Sequence, residues 1–249
     1  MSKEIVKVDS KQGLAVISGL MDATPIATND LIIPKLLLMQ PVSSLVADKK
    51  AAPGDIVNSL EGKVVGNEKE ALEVIPYKCV KTWVRFQDMG RGKPRFVSQD
   101  PVTETDAVRP RQEEINGEIF TNFETINYYC LRPSEVEAGE FLPYVISFRS
   151  TSYKAGKTLE TFRAKFQDYG KPICIKTFKI GSRQEENDQG RYYTFTVEQG
   201  RDTTVEEMAQ IKPWFDRVTQ GLVRVDESEL AGDSDKAAPE ASETSNRDY

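Results

Sequence analysis

Apolar and polar residues alternate with a period of two over much of this chain, and that period belongs to strands rather than helices. The segments "LIIPKLLLMQ" (31–40), "EALEVIPYKCVKTWVRF" (70–86), "FTNFETINYYCL" (120–131), "LPYVISF" (142–148), "PICIKTFKI" (172–180) and "RYYTFTVEQ" (191–199) are alternating or continuously apolar. Glycine and proline turns separate them, and "LEGK" reads as a hairpin turn between "DIVNS" and "VVG". The period lengthens in two places. Leu159, Phe162, Phe166 and Tyr169 form one helical stripe, stopped by Gly170 and Pro172. Val205, Met208, Ile211, Phe215 and Val218 form another, opened by a capping box at Thr203/Glu206 or Thr204/Glu207. Pro213 is expected to kink or break that second helix, and Gly221 to end it.

This order predicts a mainly β fold with two or so helices, a β+α arrangement built as an elaborated antiparallel barrel. One domain over 26–225 accounts for it. Residues 87–118 are polar and rich in Pro and Gly, and are expected to form a mobile insertion. A flexible segment is expected over 1–25, and a disordered acidic tail over 226–249.

Charge sharpens the division. The net charge of −6 is carried entirely by 226–249, with eight acids against Lys236 and Arg247, so the body is neutral. Within the body, Tyr77 to Arg95 is +5, Arg149 to Arg183 is +7, and Asp100 to Glu140 is −7. Basic blocks interleaved with aromatic residues point to a polyanion, whereas the acidic block between them could equally pair with them on a solvated surface.

Several chemistries are removed by composition. There is no histidine, so a Ser-His-Asp triad, a Cys-His pair and a His-ligated metal are all ruled out. Cys79, Cys130 and Cys174 are isolated, with no C-x-x-C, which argues against a zinc site or a disulfide framework. No catalytic residue, metal or cofactor is expected. The tripeptide Gly156-Lys157-Thr158 ends as a P-loop does, but the required first glycine is replaced by Thr151. A carboxylate-metal nuclease would draw on Asp55, Glu61 and Lys63, yet their stretch reads better as the hairpin turn. No apolar run is long enough for a membrane span, and "MSKEIVKVDS" does not read as a signal peptide, so a cytoplasmic location is expected.

In "IPYKCVKTWVRF", alternation groups Ile75, Tyr77, Cys79, Lys81, Trp83 and Arg85 on one face. Rings between cations suit single-stranded nucleic acid, since bases stack on aromatics while phosphates meet Lys and Arg. They also suit an edge strand whose long cations cover aromatic surface. Arg149, Tyr153, Lys154 and Lys157 are expected on a basic loop before the first helix, with Arg163 and Lys165 off its apolar stripe and Lys176 on the next strand.

Aromatic strands, basic loops and an acidic tail ending Asp248-Tyr249 resemble phage-encoded single-stranded DNA-binding proteins of the OB-fold type. The stretch "PKLLLMQPVSSLVADKKAAPGDIVNSLEGKVVG" and the later "YVISFRSTSYKAGKTLETF" are also similar to phage proteins of the replication and recombination region. The resemblance implies single-stranded DNA as partner, bound through Tyr77, Lys81, Trp83, Arg85, Arg149, Tyr153, Lys154, Lys157, Arg163, Lys165 and Lys176. It also implies recruitment of replication or recombination proteins through Asp248 and Tyr249. A phage structural or protein-interaction module, without nucleic-acid binding, is the alternative.

Overall fold

The computed structural model describes residues 33–90, 94–103, 109–139, 142–188 and 190–221. The segments expected to be flexible at 1–25 and acidic at 226–249, with Asp248 and Tyr249, lie outside the described residues. The strands are β1 (Leu36–Leu38), β2 (Ile56–Asn58), β3 (Lys63–Gly66), β4 (Leu72–Gln87), β5 (Arg95–Pro101), β6 (Gln112–Ile115), β7 (Glu118–Leu131), β8 (Tyr144–Phe148), β9 (Lys176–Asn187) and β10 (Gly190–Asp202). The helices among the described residues are α1 (Ser44–Ala47), α2 (Pro133–Ala138), α3 (Tyr153–Asp168) and α4 (Val205–Thr219). The stretch 87–118, expected as a mobile insertion, thus contributes β5 and β6 to the fold.

All strand pairs in both sheets are antiparallel. β1, β2 and β3 form a small sheet, and the other seven strands form a large one. β4 and β7 are its spine, in register from Ile75↔Leu131 to Gln87↔Phe120. Their outer neighbours change along their length: β4 takes β9 at Leu72–Val74 and β5 at Thr82–Gln87, while β7 takes β6 and then β8. The large sheet curls into a half-barrel, giving a β+α fold of OB-like character.

The main core lies on one side of the spine. Leu72, Val74, Ile126, Tyr128, Ile146 and Phe148 meet Phe178, Ile180 and Phe195 there, and α3 closes it with Leu159 and Phe166. Tyr169 was expected in that stripe but is 73 % exposed, because the helix ends at Asp168 and Gly170 turns the chain at φ 65°. On the opposite face of β4, Lys78 Nζ lies 5.0 Å from the ring centre of Phe215 in α4. The capping box of α4 is the Thr204/Glu207 one, and the helix runs on through Pro213. Ile211 and Val218 are buried on either side of that proline, and this packing outweighs the lost backbone bond.

The face of β4 drawn from strict alternation is broken at Tyr77. Pro76 pairs with Cys130 and Lys78 with Tyr129, which leaves Tyr77 as the extra residue of a β-bulge. Pro76 cannot donate to the ladder, and bulges are where a strand tolerates such a residue. Tyr77 therefore packs on Tyr129, at 6.4 Å between ring centres, while Cys79 joins the main core.

Gly156, the glycine of the P-loop-like tripeptide, has a packing role. The expected basic loop is helix from Tyr153 onward, and Gly156 sits buried in its first turns against β8. A Cβ there would lie 2.7 Å from Phe148 Cβ and 3.1 Å from Ile126 Cδ1. Gly156→Ala gains about 1 kcal/mol of helix propensity. Overpacking costs about 1–3 kcal/mol and wins at this distance. A lowered urea midpoint is the expected result; a raised one would show that α3 does not approach β8 this closely.

Candidate nucleic-acid interface

The structure divides the sequence-predicted site residues into neutralised, buried and exposed sets. Lys81 Nζ lies 3.2 Å from Glu160, Arg85 pairs with Glu113 and donates from Nε to Asn122 Oδ1 at 3.1 Å, and Lys176 lies 2.7 Å from Asp202. Arg163 grips Glu160 with two hydrogen bonds of 2.9 and 2.6 Å. These cations already have carboxylate partners from α3, β6 and β10, and β4, which carries Lys81 and Arg85, is a central strand rather than an edge.

The two rings expected to stack are not presented to solvent. Tyr77 is 5 % exposed and Trp83 6 %. Arg109 lies over the indole at 5.7 Å and is held by Asp100 at 2.9 Å. Burial pushes the Tyr77 phenol well above its ordinary pKa, as a ring sealed from water requires. Arg149 is likewise buried, its guanidinium 5.6 Å from the Phe86 ring centre, in the short connection that follows β8. Trp83→Ala removes a buried ring, which costs about 3–5 kcal/mol. For a chain of this size that corresponds to a melting temperature lower by roughly 10 °C. Weakened DNA binding with unchanged melting would return Trp83 to the site.

Glu160 ties α3 to the sheet. It accepts hydrogen bonds from Tyr128 Oη at 2.5 Å and from Arg163, and it faces Lys81. Burial alone would raise its pKa, but hydrogen bonds from Arg163, Tyr128 and Cys79, with the Arg163 charge, outweigh burial and hold it at about 2. Cys79 beside it is pushed up to about 12, by burial first and then by the Glu160 charge, so its thiol is a core group rather than a nucleophile.

The remaining cations gather on the outer face of α3. Lys154, Lys157 and Lys165 fall at helical spacing on its solvent side, and none makes an ion pair with a described residue. Lys157 Nζ sits 5.0 Å from the ring centre of the half-buried Tyr153. No acidic residue occupies the first turn of α3, so its positive dipole end adds to these charges. The β9–β10 hairpin lies alongside, fixed where Thr194 Oγ1 donates to the Thr151 carbonyl at 3.2 Å. Arg183 pairs opposite Thr194 and Tyr192 opposite Glu185, which places all four side chains on one face of the hairpin. The Glu185 carboxyl is held below its usual range, chiefly by Arg183, with Tyr192 and Lys154 adding to the effect. Lys154 is therefore electrostatically in reach of this hairpin face. Arg183 is paired with Glu185, and Tyr192 Oη donates to the same carboxylate at 2.9 Å. Tyr192 lies in the run "RYYTFTVEQ", which carries its aromatic signal, but only pairing with β9 brings it to this hairpin face.

Fold and site together define a mainly β, OB-like protein with a basic, tyrosine-lined ridge on one helix. The chain belongs to the Pam3 phage gp34-like protein family, a phage family whose model matches residues 16–229. No curated protein and no solved structure matches the chain. Among the described residues, no helix is long and apolar enough to cross a membrane.

Proposed function

We propose that this phage protein binds single-stranded DNA without sequence preference, in support of phage replication or recombination. The observation that carries the reading is the row Lys154, Lys157 and Lys165 on one face of α3, none in an ion pair with a described residue, with Tyr153 on the same helix and Tyr192 on the neighbouring hairpin. Phosphates track along the lysines, and bases on a flexible strand turn inward to the tyrosine rings. The interface thus moves from the strand face of Trp83 to the outer face of α3. Titrating a fluorescein-labelled oligo-dT with the full chain at low salt tests this. Saturable binding that needs no added metal is expected, and unchanged anisotropy at micromolar protein would remove the proposal.

A protein-interaction module is the second reading, favoured by one feature. Val205, Met208 and Phe215 are exposed along α4, an apolar strip that DNA binding does not use.

A further inference from the structure

Away from α3, a polar cleft of about 440 Å³ opens between strand β3 and helix α2. One wall is β3 at Val64 and Val65. β3 pairs with β2 alone, so its other edge meets no strand among the described residues. Gly66 continues the lining, and a Cβ there would lie 3.0 Å from Leu72 Cβ. The opposite wall carries Arg132 and Glu135. Glu135 Oε1 accepts from Arg132 at 2.5 Å and from Tyr144 Oη at 2.7 Å. Glu135 Oε2 and Arg132 Nε are buried with no hydrogen-bond partner among the described residues.

A strand edge with no strand beside it is the complement of an extended peptide, which presents N–H and C=O groups along both edges. Charge selects the kind of peptide. Arg132 and Glu135 neutralise each other, which leaves Glu61 and Glu70 against Lys63 at the rim, a net negative mouth. We propose that this cleft docks a short, extended, lysine- or arginine-bearing segment of a partner protein as an added strand on β3. Its backbone completes the β3 edge, and its cations meet Glu61 and Glu70.

The probe is the peptide acetyl-Lys-Val-Lys-Val-Lys-amide, titrated into the ¹⁵N-labelled full chain, with the Glu-for-Lys peptide as control. Saturable shifts of the Val64, Val65 and Arg132 amides are expected with the basic peptide alone. Glu61→Lys with Glu70→Lys, both exposed positions that the fold tolerates, should weaken binding about tenfold or more. Three results would each overturn the proposal: no saturable shift at these amides, equal response to the acidic peptide, or full binding by the charge-reversed variant. Displacement of the basic peptide by oligo-dT would also overturn it, since the cleft would then belong to nucleic acid.

Discussion

Replacing Lys154, Lys157 and Lys165 together with glutamate is expected to abolish oligo-dT binding while leaving the fold intact. Each lysine is exposed on the solvent side of α3 and makes no ion pair to a described residue, although Lys154 also acts on the Glu185 carboxylate. Losing three charge-assisted contacts of about 1.5 kcal/mol each weakens affinity by roughly a thousandfold, before repulsion from the new carboxylates is counted. Stability should hardly move. Exposed helix positions change it by about 0.5 kcal/mol or less, and glutamate at 154 and 157 suits the helix dipole while glutamate at 165, in the last turn, opposes it by a similar small amount. Anisotropy titration and thermal melting of the same preparation read the two effects separately. Wild-type affinity in the triple variant would remove α3 from the interface.

A loss of stability is expected from Glu160→Gln. The carboxylate holds Arg163 and Tyr128 and faces Lys81, joining α3 to β4 and β7. The amide keeps the shape but leaves two cations without their counter-charge. Removing one member of a half-buried cluster costs about 2 kcal/mol. The pH dependence has a definite sign. The folded-state pKa of Glu160 is lowered from the 4.5 of a free carboxyl to about 2, so its contribution is complete above about 4.5 and fades as pH falls toward 2. Urea midpoints of the wild type should therefore drop between those values, and those of Glu160→Gln should drop less. Parallel acid profiles for the two proteins would mean that Glu160 is not the anchor.

Hydrophobic period made the strand order legible apart from β5 and β6, which lie in the polar stretch 87–118, and it found the apolar stripe of α3 but not its first turn. It also offered the capping box of α4. What it missed depends on contacts between residues distant in sequence. Tyr77 joined the wrong face because alternation assumes an unbroken ladder, and the bulge at Pro76 becomes visible only when β7 is paired alongside. Trp83 between two cations looks the same in sequence whether solvent or Arg109 covers it. The basic strand residues Lys81 and Arg85 read as free charge because Glu160 and Glu113, their partners, lie far along the chain. Gly156 suggested phosphate chemistry, whereas its lack of a Cβ serves the approach of α3 to Phe148. The lysines of α3 were legible by composition alone. Their union with Tyr192 and Arg183 required the β9–β10 register.

In the proposed complex, single-stranded DNA is held by lysines on α3 and by rings that only unpaired bases can reach. Anisotropy titrations of oligo-dT and of duplex of equal length, across a salt series, test it most directly. Three lysine–phosphate contacts give a slope of about −2 in log affinity against log salt for the single strand. Duplex should bind more weakly at every salt concentration, because its bases stay stacked within the helix. Equal affinity for duplex, or binding that ignores salt, would contradict the account.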